Sequence, residues 1–202
     1  MSRTAQNTKE LLPWGRSTAQ RAFFTIGHAT RPINKFIYLL KEVDVRLLAD
    51  VRSVPHSRTN PQFDHDALTS SLGDFGIKYR HFAQLGGLRP RQKHVPAKTN
   101  AFWQNQSFHN YADYAMGPEF QSSLETLREL GHAQQCAIIC AETLWWRCHR
   151  RIIADYLIAA GETVFHILDP GDIQEADITE AATCAPGGAL IYPATFLTFD
   201  GC

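Results

Sequence analysis

Short apolar runs alternate along this chain with longer segments of helical period, and that alternation limits its architecture more than any other feature. Ala22-Phe-Phe-Thr-Ile-Gly-His28 is apolar through its centre and closes on Gly27, the form of a buried first strand. Thr30 and Pro32 suit the start of a helix in which Ile33, Phe36, Ile37, Leu40 and Val43 recur at helical spacing. Arg46 to Arg52 reads as a second strand, followed by a loop rich in Ser, Pro, His and Asn. Asp64 or Asp66 then caps a helix with Leu68, Leu72 and Phe75 on one face, and Gly76 ends it.

Ile77 to Phe82 gives a third strand, and residues 83–111 an irregular excursion of a length that is usually functional or disordered. A helix from Tyr111 or Pro118 runs through Leu130, with Gly131 as its stop. Gln135 to Cys140 is a strand, Ile152 to Ala160 carries a helical stripe ended by Gly161, and Thr163 to Leu168 is a further strand. Ala189 to Tyr192 and Thr195 to Phe199 predict an edge strand or hairpin.

Strands separated by helices fold as α/β: a three-layer, mostly parallel sheet of about five to six strands with helices on both faces. A chain of 202 residues suits one domain. The expected organisation is an N-terminal tail over residues 1–21, a single α/β domain over 22–169, and a C-terminal extension packed on it over 170–202. Ligands of open α/β sheets bind beyond the carboxyl ends of the strands. The residues placed there are His28, Asp50, Arg52, Cys140 and Glu142.

With 20 basic and 20 acidic residues the net charge is zero, so global charge points to neither nucleic acid nor membrane. No apolar run approaches the roughly 20 residues that span a bilayer, and the start has no signal-peptide core. A soluble, cytoplasmic protein without a membrane partner is expected. Five cysteines at irregular spacing do not form a disulfide framework, and in a reducing compartment all stay thiols.

The densest chemistry lies in Cys140-Ala-Glu-Thr-Leu-Trp-Trp-Arg-Cys-His-Arg-Arg151. Here a strand ends, a loop crosses, and a helix starts near Cys148. A helix amino terminus favours anions and lowers the pKa of a nearby thiol, and Arg147, Arg150 and Arg151 strengthen that field. Cys148 is thus the candidate nucleophile, with His149 or Glu142 as proton carrier. The thiols stand eight positions apart with no second pair, which argues against zinc, so no metal or cofactor is expected. Two adjacent indoles cannot easily both be buried; one of Trp145 and Trp146 packs in the core and the other, Trp146, forms a pocket wall.

A second cluster is Asp50-Val-Arg-Ser-Val-Pro-His-Ser-Arg58. Asp50 and Arg52 share a face of an extended chain, where they either pair with each other or leave Arg52, Ser53, Ser57 and Arg58 to hold a phosphate or carboxylate. The third feature is an absence: no acidic residue occurs between Asp74 and Asp113, while Lys78, Arg80, Arg89, Arg91, Lys93 and Lys98 alternate with Tyr79, Phe82, Phe102, Trp103 and Phe108. Such a loop suits anionic ligands, including nucleic acid, unless its aromatics are tucked into the core.

Taken in order, Thr25-Ile-Gly-His28, Asp50-Val-Arg-Ser53 with Pro55, Ser57-Arg58, Asn60-Pro-Gln-Phe63, Leu85-Gly-Gly87, Trp103, Phe108, Tyr111-Ala-Asp-Tyr114, Cys140-Ala-Glu142, Trp146, Cys148-His-Arg150 and His166-Ile167 resemble the domain of unknown function 488 family. The resemblance spans about residues 23 to 168; one departure is Ala115 after Tyr114, where the family often has Met. It implies an α/β domain and a map of polar motif residues, without an activity.

The functional expectation is an enzyme, of hydrolase or thiol-dependent type, acting on an anionic, nucleotide-like substrate. Its catalytic residues are Glu142, Cys148 and His149, and its binding residues His28, Asp50, Arg52, Ser53, Ser57, Arg58, Trp146 and Arg150. The competing readings are a nucleic-acid-binding module, in repair or defence, and a small-ligand sensor without turnover. The partner is accordingly an anionic small molecule or a nucleic acid; sequence does not specify the oligomeric state.

Overall fold

In the computed structural model, which describes residues 21–194, five strands run parallel: β1 (Phe23–Gly27), β2 (Leu47–Asp50), β3 (Lys78–His81), β4 (Cys136–Cys140) and β5 (Val164–Asp169). A sixth, β6 (Asp172–Glu175), returns antiparallel on β5, giving the order β3-β2-β4-β1-β5-β6. β6 escapes a pattern search because Asp-Ile-Gln-Glu is an exposed edge with a single apolar residue. A two-stranded hairpin of β7 (Thr183–Cys184) and β8 (Leu190–Ile191) follows. The strand expected at Thr195 to Phe199 and the tail at residues 1–20 lie outside the described residues.

Alternation within the buried strands sets the three layers. Phe24, Ile26, Leu48, Ala137, Ile139, Phe165 and Ile167 pack against α1 (Ile33–Glu42) and α2 (His65–Gly73). Phe23, Leu47, Ala49, Ile138 and Val164 face the opposite layer of α3 (Gln106–Ala115), α4 (Pro118–Ala133) and α5 (Arg150–Ala159). Each such fully buried large side chain contributes roughly 1.5–3 kcal/mol relative to exposure. Both faces are therefore needed to hold the central strands in place.

The single helix expected from Tyr111 or Pro118 is two. Pro118 opens α4 and restricts Gly117 to extended backbone, while the Asn105 side chain caps α3 by accepting from the Ser107 and Phe108 amides at 2.9 and 3.4 Å. Tyr111-Ala-Asp-Tyr114 thus sits on a helix, and the irregular excursion ends at Asn105. A second correction concerns the cysteines: Cys136, Cys140 and Cys148 are free thiols, but Cys184 is disulfide-bonded. Its sequence spacing carries no pairing signal.

Candidate functional site

β1, β4 and β2 are neighbours, and their carboxyl ends lie level, with Gly27 opposite Cys140 and Asp50 opposite Ile139. The chain leaves β1 and β2 towards the α1/α2 layer but leaves β4 towards α5 on the other side. This reversal opens a crevice at the strand ends. The loop after β4 crosses directly over Gly27, where an added Cβ would lie 2.6 Å from Thr143 Cα. Over the crevice sits a cavity of about 400 Å³, the size of a small-molecule site, lined by His28, Arg52, Cys140, Glu142, Cys148 and His149 together with residues of three loops.

At its floor two thiols share one imidazole. His149 Nδ1 lies 3.7 Å from Cys148 Sγ and 4.0 Å from Cys140 Sγ, and Nε2 lies 3.0 Å from the Val51 carbonyl oxygen. That oxygen can only accept, so Nε2 carries a proton and Nδ1 is the atom left to exchange one with sulfur. His149 is the N-cap residue of α5, which begins at Arg150 rather than Cys148, and its ring points away to the β2 end instead of capping the helix. Tyr111 and Gly87 fix the ring. The Tyr111 ring meets it edge-on at 4.9 Å while its hydroxyl donates to the Leu85 carbonyl at 2.7 Å, and a Cβ at Gly87 would come within 2.8 Å of His149 Cγ.

Arg150 is 1% exposed, and its Nε donates to Cys148 Sγ at 3.3 Å. A second guanidinium nitrogen donates to the Glu142 carbonyl. None of the ion pairs among the described residues includes Arg150. A buried guanidinium without a carboxylate needs another counter-charge, and the adjacent sulfur is placed to supply it. Burial alone raises the Cys148 thiol, but the Cys140 hydrogen bond, Arg150 and His149 outweigh it and hold it well below the ordinary thiol range. Cys140, hydrogen-bonded to Cys148 and buried, is held well above that range.

Asp50 and Arg52 resolve towards mutual pairing. Arg52 Nε lies 3.0 Å from both Asp50 carboxylate oxygens, its NH2 and backbone amide also donate to Asp50, and the Tyr79 hydroxyl adds a fourth donor group at 2.7 Å. Asp50 is fully buried and does not line the cavity, so it orients Arg52 rather than binding a ligand. Arg52 NH1 reaches His28 Nε2 at 3.3 Å, and His28 Nδ1 reaches the Ala29 carbonyl at 2.9 Å. Burial pushes His28 down to about 4, so it is neutral near pH 7 with both nitrogens engaged. It serves as a wall of the cavity and not as a proton carrier.

The other expected binding residues divide. Ser53 and Ser57 line the cavity, but Ser53 Oγ accepts from the Leu88 amide at 2.9 Å and Ser57 Oγ from the Asn60 amide at 3.1 Å, so both tie loops together. Arg58 is exposed and outside the lining. Trp146 is also outside it, 45% exposed on the tight turn over Trp145–Arg147 and edge-on to the Trp145 ring at 5.5 Å. Trp145 stacks on His166 at 4.3 Å. Glu142 stands exposed at the rim, its carboxylate accepting from the Leu144 amide at 3.2 Å. Of the two expected proton carriers, His149 is the one with a ring nitrogen facing both sulfurs.

Sequence reasoning missed the cavity mouth. Val54 and Leu88, 63% and 79% exposed, form apolar lips with Phe108, and Arg147 lines the same opening without an ion pair among the described residues. Exposed apolar residues in loops carry no sequence signal, although the doubled glycine before Leu88 marks close packing. The basic stretch keeps its aromatics inside: Trp103 is 7% exposed and stacks on Phe108 at 4.9 Å, and Phe82 is buried. Arg89 lies over Tyr114 at 4.0 Å and donates to the Gly86 carbonyl.

Cys140 Sγ, Cys148 Sγ and His149 Nδ1 lie within 4.8 Å of one another, so the distance along the chain that argued against a metal does not separate them in space. These three side chains could hold a thiophilic ion. Arg150 argues for a different balance, since a guanidinium already occupies the cation's place beside Cys148.

Fold and site define a three-layer α/β protein with a thiol–imidazole pocket at the carboxyl ends of its parallel strands. Residues 32–157 match the family model described as Domain of unknown function DUF488, and the chain belongs to that family. Thr25-Ile-Gly-His28 and His166-Ile167 fall outside the matched segment. No curated protein and no solved structure matches the chain. No helix among the described residues is long and apolar enough to cross a membrane.

Proposed function

We propose that this protein is an enzyme acting on a small anionic substrate, with Cys148 as nucleophile and His149 as the group that moves the proton. The observation that carries the reading is Arg150, buried, unpaired by any described carboxylate and 3.3 Å from Cys148 Sγ at the floor of an open cavity. A thiolate there attacks an electrophilic carbon or phosphorus; His149 Nδ1 gives its proton to the leaving group and then activates the water that releases the product. Arg147 and the amino terminus of α5 supply the positive field for the anion. Val54, Leu88 and Phe108 suit an apolar or planar body, in keeping with a nucleotide-like substrate.

A nucleic-acid strand draws less support, because base stacking needs exposed rings and Trp103 and Phe82 are buried. The test is a panel of phosphate monoesters, carboxylate esters and thioesters, quenched in acid and weighed intact. Substrate turnover with a covalent adduct on Cys148 is expected, lost in Cys148→Ala and slowed about 10²- to 10⁴-fold in His149→Asn. Undiminished turnover by Cys148→Ala would remove the thiol from the mechanism.

A further inference from the structure

Cys140 has no task in the chemistry above, yet it shares the cavity floor. Its sulfur lies within 4.8 Å of Cys148 Sγ, and the same nitrogen, His149 Nδ1, faces both thiols. Cys140 ends a buried strand, while Cys148 precedes a helix anchored by the Arg150 bond to the Glu142 carbonyl, so both sulfurs are held on rigid elements. One cavity gives access to both.

We propose that Cys140 is the resolving thiol of Cys148: hydrogen peroxide oxidises Cys148, and Cys140 closes a Cys140–Cys148 disulfide. The inference rests on Cys148 being the reactive thiolate. In the first step Cys148 sulfur attacks a peroxide oxygen; the S–O bond forms, the O–O bond breaks, and the leaving hydroxide takes a proton from His149 to become water. In the second step His149 Nδ1 takes the Cys140 thiol proton, and Cys140 sulfur attacks Cys148 sulfur. The S–S bond forms, the S–O bond breaks, and the departing hydroxide takes that proton back as a second water. Two thiols are oxidised by two electrons and one peroxide is reduced. The two thiols are biased in opposite directions, as this division of labour needs: Arg150 favours charge on Cys148, while the hydrogen bond to Cys148 and burial keep Cys140 protonated until it is called on.

Trypsin cuts after Arg128, Arg147 and Arg150, so the disulfide would join peptide 129–147 to Cys148-His-Arg150. The full chain is treated with an equimolar amount of hydrogen peroxide, the remaining thiols are blocked and the digest is weighed. The linked peptide is expected in the wild type and in Cys136→Ser, which removes the other thiol of peptide 129–147. In Cys140→Ser it is absent, and a dimedone adduct of a sulfenic acid accumulates on Cys148 instead. The proposal is overturned if wild type gives the same dimedone yield as Cys140→Ser with no linked peptide, if the link survives in Cys140→Ser, or if the chain purifies with zinc on these side chains. Rapid alkylation of Cys148 at neutral pH without the linked peptide sinks only the resolving role; an inert Cys148 sinks the nucleophile reading as well.

Discussion

Replacing Gly87 by alanine should disable the imidazole while leaving every catalytic side chain chemically unchanged, because the added Cβ presses on the His149 ring. The new Cβ would lie 2.8 Å from His149 Cγ and 2.9 Å from Cε1, whereas ordinary contact begins at 3.4 Å, so the ring must retreat by more than half an ångström. Tyr111 packs against the same ring, and Nε2 is bonded to the Val51 carbonyl, so a retreat breaks the 3.0 Å bond or stretches the 3.7 Å contact to Cys148 Sγ beyond hydrogen-bond range. Overpacking of this kind costs about 1–3 kcal/mol of stability. A hydrogen bond to a charged group contributes about 1.5–3 kcal/mol, so its loss lowers the thiolate population roughly tenfold or more where that population is not saturated. Urea unfolding reads the first effect and iodoacetamide alkylation of Cys148 near the foot of its pH profile reads the second. A variant as stable as wild type that alkylates at the same rate would refute the account of how His149 is held.

Arg150→Met should slow Cys148 alkylation at pH 7 at least tenfold, since unit charges 3.3 Å apart interact by about 5 kcal/mol at an effective dielectric of about 20; an unchanged rate would mean that Arg150 does not set the charge on the sulfur. Asp155 accepts from the Thr179 amide and the Tyr192 hydroxyl, but burial pushes it from 3.8 up to about 6, so its contribution to stability is complete below pH 3.8 and is lost as pH rises through 6. Asp155→Asn should therefore be more stable than wild type by up to about 3 kcal/mol at pH 8, with the gap closing towards pH 4; a pH-independent gap in urea midpoints would contradict this. Burial pushes His28 down to about 4 and His166 to about 3, so stability held by their neutral rings above pH 6.5 should fall as pH drops through those values, and His166→Gln should flatten that slope in the same titration.

Much of the fold was readable because its central strands are continuous apolar runs, and the glycines after α2 and α5 mark where those helices stop. The split between α3 and α4 was written in Gly117-Pro118 but was masked by apolar periodicity on both sides. For the site, position after a strand named His28, Asp50, Arg52, Cys140 and Glu142; all but Asp50 line one cavity, beside Cys148 and His149 from the helix start. Sequence could not say how each side chain is engaged. His28 and Asp50 are titratable residues at strand ends, yet their polar atoms are consumed by Arg52, Tyr79 and the Ala29 carbonyl. Arg58 and Trp146 neighbour lining residues in sequence but turn outward, because loop direction follows from packing and not from spacing. Conversely, Cys140 and Cys148 meet only because a strand end and a helix start face each other across the crevice.

The most direct test is the pH dependence of Cys148 alkylation in the unmodified chain, followed through the tryptic peptide Cys148-His-Arg150. If Arg150 and His149 hold the sulfur as thiolate, the rate stays near its plateau from pH 8.5 down to below pH 7. A thiol of ordinary pKa, about 8.5, would instead lose roughly tenfold per pH unit over that range, and such a profile would contradict the thiolate at the floor of the pocket.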